Sequence, residues 1–302
     1  MNRTSSQNPF EASMLFIRAT QFFTAIFGAI ITTGVTCNSL LLITTIRSKS
    51  LRSPCNILIG SCALFDVLHQ SAHFVQSYVM IGETTMNSLT CSIIMVRKFF
   101  PELGVSGGTF SVLCIGLDRF ISIASPNRYR NMDATKYLFA HYSAICLYCT
   151  YTVFLMVYFF RDQEQICTVA HVFHDRALIY WTYAGVVVNL TAFVVYVLTW
   201  PDNLEIEQLR RIFRTILLVT TLELGGFTIT QVIISVQQMF ELSVPMRICI
   251  MTTAGNFVNA GIASKFIVYY FTRSKKFPLV QRIPFPAQNI GKRSKAYSIK
   301  II

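Results

Sequence analysis

Long apolar stretches separated by short polar connections set the pattern of this chain. Seven can be marked: Gln21 to Ile46, Cys55 to Ile81, Phe99 to Ala124, Tyr137 to Phe160, Leu178 to Trp200, Ile212 to Val236 and Met246 to Phe271. Each is long enough to cross a hydrocarbon core about 30 Å thick as a helix, and an isolated lipid-exposed segment can satisfy its backbone there only in that form. The pattern predicts an all-α membrane protein, a bundle of seven transmembrane helices. The third run begins raggedly, with Arg97, Lys98, Pro101 and Glu102 near its start, and the sixth is interrupted by Glu223 and by Gly225 and Gly226. Short connections make successive helices antiparallel neighbours in one bundle. The division that follows is a polar N-terminal segment (1–20), the membrane domain (21–271) and a basic tail (272–302). No fixed-period or inverted repeat is visible.

Composition agrees with the pattern. Of 302 residues, 53% are hydrophobic and 13% charged, against about 25% charged in soluble domains. The net charge of +12 points to a lipid bilayer rather than to nucleic acid, because membrane proteins collect Lys and Arg on their cytoplasmic side. One side of the predicted topology carries 17 Lys and Arg and the other 7. The N-terminus is therefore expected outside and the C-terminus inside. Asn2-Arg3-Thr4 is then an external glycosylation sequon. The segment from Met1 to Glu11 is too polar for a cleavable signal peptide.

Seven of nine cysteines fall in or at the ends of the apolar runs, where a thiol behaves as a small hydrophobe. Cys91 and Cys167 lie in or at the edge of loops on the same outer side. An oxidising compartment with just these two thiols available favours a disulfide between them over two free thiols. Cys167 with His171 and His174 lacks a fourth ligand for a metal site. No nucleophile–base set, metal-ligand array or phosphate loop appears, so neither an enzyme nor a bound cofactor is expected.

The chemistry lies in ionisable and polar residues within the apolar runs. Arg119, in Gly116 to Arg130 (GLDRFISIASPNRYR), stands at the inner foot of the third run. Arg at the centre of a membrane helix costs about 3 kcal/mol on insertion scales, so its presence means either function or a headgroup anchor. Asn38, Asp66, Asp118 and Tyr269 would likewise be costly against lipid. With Arg119 they are expected to face inward and make a polar seam through one half of the bundle.

These residues resemble the rhodopsin-like G-protein-coupled receptors. The resemblance is carried by Asn38 in CNSLLL, Asp66 in SCALFDVL, the triplet Asp118-Arg119-Phe120 in place of Asp-Arg-Tyr, Pro126, Cys91 with Cys167, and Tyr269. More narrowly, LRSPCNILIGSCALFDVL, IGLDRFISIASPNRYR and FIVYYFTRSKKF are similar to the nematode Srsx serpentine chemoreceptors. The resemblance implies a plasma-membrane receptor, in the chemosensory case often on a sensory cilium. An extracellular ligand would shift the bundle between two packings, the sixth helix would swing outward at its inner end, and Arg119, held at rest by Asp118, would be freed to meet a heterotrimeric G-protein α-subunit. Basic residues including Arg128 and Arg130 rim the same surface, where contact with lipid headgroups accounts for each of them equally well.

Departures from the family pattern mark this chain. The sixth run has Leu224-Gly225-Gly226-Phe227 in place of the family's Trp and Pro, so any pivot falls to the glycines. The seventh reads Lys265-Phe266-Ile267-Val268-Tyr269 where the family reads Asn-Pro-x-x-Tyr. Two arrangements follow: Lys265 pairs with Asp66 and takes the place of the family's sodium ion, or Lys265 snorkels to the interface and leaves Asp66 protonated or hydrated.

For a ligand pocket the candidates are His69 and His73, one turn apart beyond Asp66, with Glu102, Trp181 and Gln231. The histidines serve equally well as satisfied core residues. The tail is basic, expected to begin as a short interfacial helix from Thr272 to Phe277 and then to lose order. Two competing readings remain: an ion-coupled transporter or channel using Asp66, Glu223 and Lys265, and a decoy receptor that does not signal.

Overall fold

Backbone chemistry rather than hydropathy sets where the helices begin and end. In the computed structural model, the chain is described for residues 9–48, 53–81, 86–87, 100–161, 164–165, 173–174, 176–199, 207–237, 239–240 and 244–274. In chain order the elements are α1 (Pro9–Arg47), α2 (Pro54–Ile81), β1 (Met86–Asn87), α3 (Phe100–Ala124), α4 (Pro126–Asn131), α5 (Ala134–Tyr158), β2 (Glu164–Gln165), α6 (Arg176–Leu198), α7 (Glu207–Gln237) and α8 (Val244–Ser274). Seven are long helices matching the seven apolar runs. The exception is α4, a six-residue helix with proline in its first turn, where the missing N–H costs nothing. Asp133 caps α5 by accepting from the backbone N–H groups of Thr135 and Lys136 at 2.8 and 3.3 Å.

Two boundaries differ from the hydropathic reading. Helix α1 begins at Pro9, not Gln21, because a helix need not stop where its sequence ceases to be apolar. At the other end, α8 runs without a break past Phe271 to Ser274, through the start of the expected interfacial stretch. The tail from residue 275 lies outside the described residues.

The bundle is apolar outside and partly polar inside. Phe139, Leu147, Val157, Tyr183 and Leu198 are exposed on the outer surfaces of α5 and α6. Asn38, Asp66, Gln70, Asp118, Asn189, Glu223, Gln231, Asn259 and Lys265 are buried. That is the inverse of a soluble fold and the arrangement a hydrocarbon solvent selects. Among the described residues, four segments are long and apolar enough to cross a membrane on length and composition alone: Gln21–Arg47, Leu103–Ala124, Ala134–Tyr158 and Arg176–Leu198. The other three long helices carry Asp66, Glu223 and Lys265.

Packing joins α2 chiefly to α1 and α3, and α8 to α1 and α7. Gly226 and Gly261 let α7 and α8 approach closely: a Cβ on Gly226 would stand 2.6 Å from the Phe257 carbonyl oxygen, and one on Gly261 2.9 Å from that of Leu222. The glycine pair at 225 and 226 thus lies in a continuous helix, and Gly226 serves close packing. At the end of the bundle away from Arg119, β1 and β2 form a two-residue antiparallel ladder, with Met86 opposite Gln165.

Candidate functional site

Three helices converge on one buried ammonium. Lys265 Nζ of α8 lies 2.7 Å from Asp66 Oδ2 of α2 and 2.8 Å from Glu223 Oε1 of α7. Lys265 also donates to Cys62 Sγ at 3.4 Å. All three charged residues are at most 5% exposed. Each alone would be prohibitive at this depth; together they satisfy one another, and the cluster requires α2, α7 and α8 to hold their present spacing. The snorkelling alternative for Lys265 is not what the structure contains. A cavity of about 30 Å³ adjoins the cluster, bounded by Asp66, Glu223, Lys265, Thr220 and Tyr196 among others, with room and polar partners for a water molecule.

In the sequence Glu223 stood out as an interruption of the sixth run and as one charge of the competing ion-path reading, not as a partner of Lys265. Its helical phase was the available signal: Thr220, Glu223, Phe227, Gln231 and Ile234 are all buried, on one face of α7.

Asn38 is fully buried and donates to Gln70 Oε1 at 3.4 Å, linking α1 to α2. It is not among the partners of the ion cluster.

At the C-terminal end of α3, Asp118 is fully buried and Arg119 half-buried. Asp118 Oδ1 accepts a hydrogen bond from Tyr129 Oη of α4 at 2.9 Å. The carboxylate that the family resemblance assigns to restraining Arg119 is therefore engaged by the loop helix. Burial, and then the neighbouring Asp118 charge, push the Tyr129 hydroxyl well above its ordinary range, which keeps it a donor at physiological pH. Phe120 is half-buried, and Pro126, Arg128 and Arg130 are exposed beside it.

Of the pocket candidates, His69 and His73 are buried with their Nε2 atoms 3.4 Å apart, and Phe27 meets His73 edge-on at 5.0 Å between ring centroids. That is how core histidines pack. Trp181 is buried and stacked on Phe173, with centroids 4.9 Å apart. Gln231 is buried on α7. Cys91 and Cys167, and the side chains of Glu102 and Tyr269, lie outside the described residues.

The serpentine type 7TM GPCR chemoreceptor family Srsx matches residues 31–279, from within α1 to beyond the end of α8. The chain belongs to that family and is a multi-pass membrane protein of a chemosensory receptor family. A comparison with curated proteins finds no match.

Proposed function

We propose that this chain is a chemosensory receptor that turns binding of an external small molecule into activation of a heterotrimeric G protein. The observation that carries the reading is the Lys265 ammonium held between Asp66 and Glu223. A two-state switch in hydrocarbon needs a polar group that can change partners without being stranded. Lys265 has two carboxylates, on different helices. If α7 moves away from α8, the pair with Glu223 breaks while Asp66 keeps the ammonium paired, so the cation is stranded in neither state.

The proposed output lies at the C-terminal end of α3. Displacing α7 opens the end of the bundle that carries Arg119, Arg128 and Arg130, and Arg119 meets the G-protein α-subunit there. In this reading the N-terminus is external, the Arg119 end is cytoplasmic, the membrane is the plasma membrane, and the chain catalyses no bond-making step.

The test is a G-protein dissociation assay in cells expressing the full chain, screened against small molecules, with Arg119→Ala in parallel. Ligand-driven dissociation in the unmodified receptor and its loss in Arg119→Ala is the expected outcome. Ligand-driven ion flux that survives Arg119→Ala would instead favour a transporter or channel.

A further inference from the structure

The inward face of α6 is a stripe of Ala177, Trp181, Gly185, Asn189, Ala192 and Tyr196. Asn189 stands out in it. It is 3% exposed, and neither its Oδ1 nor its Nδ2 has a hydrogen-bond partner. Gln231 of α7 is equally buried, and its Oε1 is also without one. The two helices meet at this level: Gln231 Nε2 stands 3.7 Å from where a Cβ on Gly185 would lie, one helical turn from Asn189.

Buried amides with unmet hydrogen bonds cost stability, and an aliphatic side chain would avoid that cost. Packing therefore does not explain them. The ion cluster does not use them either.

Charge decides what they can recognise. Among the described residues the buried carboxylates are Asp66, Glu223 and Asp118. The first two are engaged by Lys265 and the third by Tyr129. Lys265, the buried cation, is engaged in turn. No uncommitted buried charge among them stands ready to neutralise an ammonium or carboxylate ligand. One turn from Gly185, Trp181 stacked on Phe173 supplies an apolar wall.

We infer that Asn189 and Gln231 are the recognition point for an uncharged small molecule with an apolar body and a hydrogen-bonding head, and that the best match is a head that both donates and accepts, such as a carboxamide or an alcohol. This rests on the receptor reading above and names the chemical class of its ligand. It also connects ligand to switch: Gln231 lies eight residues beyond Glu223 on α7, about 12 Å along one helix.

The experiment uses the full chain in lipid nanodiscs with five probes on one carbon skeleton: octanamide, octanol, methyl octanoate, octylamine and octanoic acid. Binding is read by the thermal unfolding midpoint and by fluorescence of the chain's two tryptophans, Trp181 and Trp200. Octanamide and octanol are expected to bind more tightly than the amine and the acid. Asn189→Leu and Gln231→Leu should each raise the ligand-free midpoint while weakening octanamide binding tenfold or more. The inference is overturned if octylamine or octanoic acid binds more tightly than octanamide, if both variants bind octanamide as the unmodified chain does, or if none of the neutral probes binds. Binding without G-protein dissociation would leave this inference standing and count against the coupling proposal instead.

Discussion

Lys265 Nζ lies 2.8 Å from Glu223 Oε1, an ion pair that ties the last helix of the bundle to its neighbour α7 where both residues are buried. The same ammonium is 2.7 Å from Asp66. The two carboxylates differ in what they hold: Asp66 joins α8 to α2, and Glu223 joins it to α7.

That difference predicts unequal effects on resting activity. Glu223→Gln removes the charge tying α7 and should raise ligand-independent G-protein activation severalfold. Asp66→Asn leaves α7 tied and should leave basal activity near that of the unmodified receptor. The measurement is G-protein dissociation without ligand, normalised to receptor at the cell surface. Higher basal activity in Asp66→Asn than in Glu223→Gln contradicts the assignment.

Removing the cation should be worse than removing either anion. Lys265→Met leaves two buried carboxylates without their cation, and breaking a buried ion pair from one side costs about 3–5 kcal/mol. The triple variant Asp66→Asn, Glu223→Gln, Lys265→Met carries no charge in the cluster and should recover much of that loss. Thermal unfolding in nanodiscs compares the two, and a triple variant no more stable than Lys265→Met counts against a mutually satisfied cluster.

How much of this was legible in the sequence depends on what each feature obeys. Seven apolar runs became seven long helices because hydrocarbon leaves the backbone no other local solution. The start of α1 at Pro9 and the short helix α4 were not legible from hydropathy, since both begin with a proline in polar sequence. Asp66 and Lys265 could be set side by side because Lys265 stands where the family resemblance places an Asn next to the Asp66 position, and a buried charge needs a partner. Glu223 was the harder case: with three ionisable groups on three helices, only the face of α7 that turns inward identifies it as the second carboxylate. Asn189 sat unnoticed in the fifth apolar run, although a lone amide there carries the same kind of signal. Tyr129 lay inside a basic loop sequence, and its bond to Asp118 depends on α4 folding back against α3.

The glycine pair on α7 offers an internal control on packing. Gly226→Ala would place a methyl group 2.6 Å from the Phe257 carbonyl oxygen, so α8 must shift, at a cost of about 1–3 kcal/mol. A Cβ on Gly225 meets nothing within 4 Å, and Gly225→Ala should stabilise by up to about 1 kcal/mol through helix propensity. Unfolding midpoints that move in the same direction for both variants would show that the close α7–α8 approach is absent in the membrane.

Tyr129→Phe tests the other end of the bundle. It removes the donor to Asp118 Oδ1 and leaves a fully buried carboxylate short of a partner, with an expected loss of about 1.5–3 kcal/mol. Thermal unfolding against the unmodified chain reads the effect, and an unchanged midpoint would mean that α4 does not hold Asp118.

The ion cluster is tested most directly by a double-mutant cycle between Lys265 and Glu223. Unfolding free energies of the ligand-free receptor are measured for Lys265→Met, Glu223→Gln and the pair together. The two substitutions should be strongly coupled, with the double variant more stable than the sum of the single effects requires, by more than about 1 kcal/mol. Additivity to within about 0.5 kcal/mol would mean that the ammonium does not hold α7, and the proposed switch would fail with it.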